Sequence, residues 1–247
     1  MTASAPVVVE VDIPSDVVGT SAGLAGVMAI PEGEGPWPGV ILVHEAFDIN
    51  DNMRRQVQRM AEAGYLAVMP NLFTEGGARK CLMATFRALS AGRGRAFQDI
   101  EAARRMVLAR PDSTDKVGVI GFCMGGGFAL ALASGSRYDV SSVNYGRFPK
   151  DADAVLADAC PVVASYGARD RSLKNAAAKL DAILTRIQVA HDVKEYPTAG
   201  HSFLNEEEEG AVALRPVMRM ILGAGPDPEA AADAWQRIEA FFGEYLH

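Results

Sequence analysis

Gly121-Phe122-Cys123-Met124-Gly125-Gly126-Gly127 is the stretch whose residue types could carry covalent chemistry. It follows the apolar, β-branched run Val117–Ile120 and precedes small and apolar residues at helical spacing from Phe128 to Ser134. It therefore reads as strand, sharp turn, helix. This is the layout of a nucleophile elbow, with cysteine where serine is more common. So tight a turn forces its central residue into a strained backbone conformation, and the positions two before and two after must be nearly free of side chain. Gly121 and Gly125 meet that need. A buried, inert thiol is the ordinary fate of a free cysteine, but glycines at both positions argue for a reactive one.

A thiol is only a few per cent ionised at pH 7, and the thiolate is the nucleophile. Bringing it to half ionisation takes about 2 kcal/mol of selective stabilisation. An imidazole partner can supply this, and the Met124 N–H at the start of a helix adds a favourable dipole. A carboxylate would fix the histidine tautomer and stabilise imidazolium.

Candidates stand where apolar runs stop. Gly39–Val43 ends at His44-Glu45, Pro161–Tyr166 ends at Gly167-Ala168-Arg169-Asp170, and Asp192–Tyr196 leads to Ala199-Gly200-His201. In open α/β sheets function gathers beyond the carboxyl ends of the strands. Glu45, Cys123, Asp170 and His201 are therefore the candidate catalytic residues. The last three follow the chain order of α/β-hydrolases, nucleophile, acid, histidine. Each has a plainer alternative: Asp170 could cap a following helix, and His201 could be a loop histidine. His44 precedes the cysteine, which is the wrong order; His191 opens a stretch of alternating charge, and His247 is terminal.

The elements that must position these groups alternate. Val7–Ile13 and Leu24–Ile30 read as an antiparallel pair at a sheet edge. Gly39–Val43, Leu66–Met69, Val117–Phe122, Val140–Tyr145, Pro161–Tyr166 and Asp192–Tyr196 read as further strands. Helices are expected over 51–63, 81–89, 96–109, 124–134, 172–187 with Ser172 as cap, and 229–246. The last would line Ala232, Trp235, Ile238, Phe241 and Phe242 on one face. The alternation predicts a mostly parallel sheet with helices on both faces. We read residues 1–247 as a single α/β domain with a long connection at about 205–228.

Composition narrows the function. A net charge of −7 argues against nucleic acid as a partner. No 18-residue apolar run suggests a membrane span. Three cysteines without metal-type spacing suit a reducing compartment, which predicts a cytoplasmic protein. Neither the histidine spacing nor a dinucleotide fingerprint implies a metal or organic cofactor, so none is expected. Monomer and homodimer remain open.

The motifs His44-Glu45-Ala46-Phe47, Gly121-Phe122-Cys123-Met124-Gly125-Gly126, Gly167-Ala168-Arg169-Asp170 and Ala199-Gly200-His201-Ser202-Phe203 together resemble the dienelactone hydrolases (carboxymethylenebutenolidases). The resemblance implies an α/β-hydrolase fold, Cys123 as nucleophile, His201 as base and Asp170 as its orienter. It further implies that Glu45 governs thiol protonation, and that the N–H groups of Ala46 and Met124 form an oxyanion hole. The reaction implied is opening of a lactone or cleavage of an ester through an acyl-thioester enzyme.

One feature departs from the family. Where the resemblance places a substrate-binding arginine just beyond the histidine, this chain has Ser202-Phe203-Leu204-Asn205 and then Glu206 to Glu209. Arg79 and Arg87 lie in the region that supplies the family's other arginine, and Tyr145 and Phe47 are further candidates to contact substrate. Val212, Leu214, Val217, Met218 and Ile221 could form an apolar face over the site or against a second subunit. A promiscuous esterase or thioesterase, a non-catalytic binder of the same fold and a thiol redox sensor are the competing readings.

Overall fold

The computed structural model describes residues 5–14, 16–208 and 215–247. Eight strands form one sheet in the order β1-β2-β4-β3-β5-β6-β7-β8. They are β1 (Val9–Asp12), β2 (Ala25–Ala29), β3 (Trp37–Val43), β4 (Leu66–Pro70), β5 (Ser113–Phe122), β6 (Val140–Asn144), β7 (Val162–Gly167) and β8 (His191–Tyr196). The β1–β2 and β2–β4 pairs are antiparallel, and every other pair is parallel. The expected antiparallel edge is therefore present, and β3, β5, β6 and β7 form the parallel centre. Gly39–Val43 of β3 reads as an unbroken apolar run, as a strand buried on both faces does. Val40 to Val43 are wholly buried.

The helices are α1 (Asp51–Glu62), α2 (Ala78–Ala91), α3 (Arg95–Leu108), α4 (Met124–Leu132), α5 (Ala152–Val155), α6 (Ala176–Arg186), α7 (Arg215–Leu222) and α8 (Pro228–Leu246). The helix α1 starts where the side chain of Asn50 accepts the Met53 N–H at 3.0 Å, a cap that contributes about 1 kcal/mol. It buries Met53, Val57, Met60 and Ala61, and each large aliphatic chain so buried contributes about 1.5–3 kcal/mol. Gly118 lets α8 lie against β5: a Cβ there would stand 2.8 Å from the Phe242 ring.

Several expectations are corrected. The helix expected over 81–89 runs from Ala78 to Ala91, because glycines 77 and 92, both at positive φ, rather than apolar periodicity set its ends. Ser172 caps no α-helix. It lies in a 3-10 turn, Arg171–Leu173, and α6 starts later, after Asn175 at φ 62°. Residues 147–160, which show no clear pattern, contain the short α5. Ala232 is exposed on α8, and Ala234, Trp235, Ile238, Phe242 and Leu246 form its buried face.

Within the long connection, α7 spans Arg215–Leu222. Val212, Leu214 and Glu209 lie outside the described residues, as do the side chains of Val217, Met218 and Ile221. Among the described residues, no helix is long and apolar enough to cross a membrane.

Candidate active site

Cys123 follows β5 directly and precedes α4, at φ 55° and ψ −112°. That is the strained turn the glycines predict. A Cβ on Gly121 would lie 2.0 Å from the Gly125 carbonyl oxygen, and one on Gly125 would lie 2.0 Å from that of Val43. No alanine fits at either place. The second contact also presses the start of α4 against the end of β3, which brings Met124 and the Glu45-Ala46 segment into one neighbourhood. The Cys123 N–H donates to the Asn144 carbonyl at 3.0 Å, tying the turn to the end of β6.

Asp170 follows β7, and His201 lies in the loop after β8. The two loops close on each other because Gly167 has no side chain: a Cβ there would meet the Gly200 carbonyl at 2.4 Å. His201 Nδ1–H donates to Asp170 Oδ2 at 2.5 Å, and both residues are buried. The other Asp170 oxygen accepts the Ser172 N–H at 2.9 Å and the Ser172 hydroxyl at 2.7 Å. Asp170 thus caps the 3-10 turn with one oxygen and hydrogen-bonds His201 with the other.

The imidazole also lies beside the Cys123 side chain, which favours its protonated form. With Nδ1 engaged by Asp170, the nitrogen left for sulfur is Nε2. Burial alone would disfavour imidazolium, but the charges of Cys123 and Asp170 and the hydrogen bond to Asp170 outweigh it. His201 is therefore held protonated well above its ordinary range. Burial likewise opposes ionisation of Asp170, and the His201 and Ser172 contacts overcome it, keeping this carboxyl below the usual range.

Glu45 is wholly buried at the end of β3. Its carboxylate accepts Ser202 Oγ–H at 3.2 Å and Asn205 Nδ2–H at 3.1 Å. The loop that presents His201 therefore also holds Glu45. That loop is fixed from two sides. On α1, Asn52 Oδ1 accepts the Glu206 and Glu207 N–H groups at 3.2 Å each, and Gln56 donates to the Leu204 carbonyl at 3.1 Å. From the end of α7, the Leu222 carbonyl accepts the His201 N–H at 2.9 Å. None of these supports stands out in the sequence; Ser202 and Asn205 carry only the signal of being polar and close behind the histidine.

The other histidines separate cleanly. His44 is buried, donates Nδ1–H to the Glu45 carbonyl at 2.6 Å, and accepts the Leu72 N–H on Nε2 at 3.1 Å. Both of its nitrogens serve the backbone. His191 sits at the start of β8, the opposite end of the strand from His201, with Nδ1 on the Val189 carbonyl.

The residues expected to contact substrate divide. Tyr145, buried at φ 42°, packs with its ring tilted at 5.1 Å from the His201 ring and edge-on at 5.7 Å from Phe203. Phe47 is 43% exposed and borders a small cavity of about 30 Å³ with Ser202, Asn205, Glu207 and Arg215. Arg79 and Arg87 are exposed on α2. Arg87 borders a separate cavity with Arg93 and Arg95, on whose wall none of the four catalytic candidates stands. Among the described residues, no group of three or more His, Cys, Asp or Glu is arranged to hold a metal ion.

Known proteins share this arrangement of strands and loops. The chain is 30% identical to a carboxymethylenebutenolidase of Rhodococcus opacus over 84% of this chain and 81% of that one. It is 29% identical to a carboxymethylenebutenolidase of Pseudomonas putida, over 72% and 80% respectively. A crystal structure from Klebsiella pneumoniae, provisionally named a dienelactone hydrolase, superposes with a TM-score of 0.77 at 25% identity, covering 98% of this chain and all of that one. The model of the dienelactone hydrolase family matches residues 24–246, which takes in the central strands, both loops of the acid–histidine pair and the last helix. A match of that extent makes the chain a member of the dienelactone hydrolase family, an α/β-hydrolase-fold enzyme acting on ester or lactone bonds.

Proposed function

We propose that the enzyme opens a lactone or cleaves a small ester through an acyl-thioester on Cys123. The observation that carries this reading is the strained Cys123 turn beside an imidazole that is hydrogen-bonded to Asp170. Cys123 Sγ attacks the carbonyl carbon, and the thiol proton resides on His201 Nε2. The N–H groups of Ala46 and Met124 donate hydrogen bonds to the developing oxyanion. Collapse breaks the carbon–oxygen bond, and His201 returns the proton to the leaving alkoxide. Water then attacks the thioester, His201 takes its proton, and the acid product departs as sulfur is reprotonated. Glu45 controls when the thiol ionises, and Tyr145 and Phe47 shape the acyl site. Arg79 and Arg87 are not needed in this scheme.

The redox-sensor alternative loses support from the other thiols. Burial pushes Cys160 up to about 12, and buried Cys81 faces the Phe73 carbonyl. Neither is a ready resolving thiol. A single domain over residues 1–247 acting on a small molecule in the cytoplasm completes the proposal.

The test is hydrolysis of a dienelactone and of p-nitrophenyl acetate by wild type and Cys123→Ala. Loss of at least ~10³-fold on any substrate turned over is expected, with a wild-type acyl adduct on Cys123 seen by intact mass. Full activity in Cys123→Ala would overturn the mechanism. Cysteine-dependent turnover of the acetate alone would keep the mechanism and remove dienelactone as substrate.

A further inference from the structure

His44 is wholly buried just past the end of β3. Its Nε2 accepts the Leu72 N–H, so in the neutral ring Nδ1 carries the proton and donates to the Glu45 carbonyl at 2.6 Å. Leu72, just beyond β4, thereby selects the tautomer. Phe73, the next residue, packs against the same ring edge-on, at a centroid distance of 4.8 Å.

The Glu45 carbonyl and the Ala46 N–H belong to one peptide unit. That unit is planar and trans, so the two groups point in opposite directions. Drawing the carbonyl toward the His44 ring turns the Ala46 N–H away from it and fixes the plane in which that N–H lies. Donation to the carbonyl also polarises the peptide, which makes its N–H a stronger donor. Among the described residues, the Ala46 N–H makes no hydrogen bond within the protein. Met124 is the first residue of α4, and its N–H has no partner inside the helix. The start of α4 presses on the backbone that leads into Glu45: a Cβ on Gly125 would stand 2.0 Å from the Val43 carbonyl oxygen and 2.9 Å from that of His44.

We infer that His44 is a positioning residue for the oxyanion hole, whose Nδ1–H sets the Glu45–Ala46 peptide so that the Ala46 N–H meets the developing oxyanion. This rests on the proposed reaction at Cys123 and deepens it. His44 acts through the peptide and itself makes no bond to substrate.

The experiment crosses two variants. His44→Phe keeps a ring against Phe73 and removes the donor. His44→Asn gives up the ring but places an amide Nδ2 where Nδ1 stands. Both remove the acceptor of the Leu72 N–H, so the variant that packs better is the one without the donor. Two rates are read on each. One is kcat/KM for whichever of the dienelactone and p-nitrophenyl acetate wild type turns over. The other is alkylation of Cys123 by iodoacetamide, a displacement at saturated carbon that forms no oxyanion. His44→Phe is expected to lose at least about tenfold in kcat/KM, with its alkylation rate within about twofold of wild type. His44→Asn is expected to keep kcat/KM within about threefold. A merely structural role would favour His44→Phe over His44→Asn. Unchanged kcat/KM in His44→Phe, an equal or larger loss in His44→Asn, or alkylation slowed in step with kcat/KM overturns the inference. If His44→Phe does not fold, His44→Leu is read by the same two rates. Cys123→Ala separates the two levels: activity retained there defeats the reaction itself, whereas activity lost there with His44→Phe unimpaired defeats only the role of His44.

Discussion

Asp99, on α3, and Asp170, after β7, are both shielded from solvent, and each receives the N–H and the hydroxyl of one serine. Ser21 donates to Asp99 at 2.7 and 2.8 Å, and Ser172 donates to Asp170 at 2.9 and 2.7 Å. The placement differs. Ser21 engages both oxygens of Asp99, whereas Ser172 engages only Oδ1 of Asp170 and leaves Oδ2 for His201. The outcome is opposite. Burial raises Asp99 above the ordinary carboxylate range despite its serine bonds, while at Asp170 the imidazole turns the balance and the carboxyl is lowered. At Asp99 the serine donors and the charge of Arg95 do not offset desolvation; at Asp170 a directly hydrogen-bonded imidazole, with the serine, does. One aspartate joins Ser21 to α3, and the other orients His201 in the proposed mechanism.

Asparagine at each position tests this division most strongly through activity. Asp170→Asn is expected to lower kcat by ~10³–10⁴-fold, because the amide no longer favours the productive tautomer of His201. Asp99→Asn should leave kcat within about threefold. Equal losses in a steady-state assay would erase the distinction between the two carboxylates.

A smaller effect concerns stability. Asp99→Ala leaves the buried Ser21 N–H and hydroxyl without their acceptor, which should cost about 1–3 kcal/mol. Urea denaturation would read this as a lower midpoint, with activity per folded molecule unchanged. No change in midpoint would mean that the Ser21–Asp99 contact is replaced by water without loss.

The smallest effect is in pH dependence. Because Asp170 is lowered on folding, its contribution is complete above the unfolded carboxylate value of 3.8 and is lost as pH falls through the folded value. Because Asp99 is raised, the folded state takes up its proton first, and its contribution declines as pH rises from 3.8 through the folded value. Acidification from pH 7 to about 3 should therefore shrink the stability advantage of wild type over Asp170→Asn and enlarge its advantage over Asp99→Asn. Parallel changes in the two pairs would contradict the opposite shifts.

Much of the site could be read from local sequence because the elbow is a local problem. Gly121 and Gly125 flank Cys123 within five residues, and the close approaches of 2.0 Å are what their missing side chains permit. The strand ends at Glu45 and Asp170 also announce themselves as polar groups after apolar runs. The role of Ser172 is less visible. A serine two residues beyond an aspartate suits a helix cap as well as a carboxylate partner, and only the late start of α6 distinguishes them. The partners of Glu45 are hidden for a stronger reason: Ser202 and Asn205 lie about 160 positions away in the chain.

By itself, the sequence determined the alternating order of strands and helices, the elbow, and the three strand-end groups in hydrolase order. These depend on periodicity, on glycine sterics and on residues that are neighbours along the chain. Only the tertiary structure decided which histidine meets the cysteine, since His44 spends both nitrogens on nearby backbone and His201 is turned by Asp170. It alone also decided that Glu45 is held by the histidine loop, and that Arg87 borders another cavity. Such outcomes depend on how distant loops close over the ends of the sheet, and no local pattern of side chains encodes that closure.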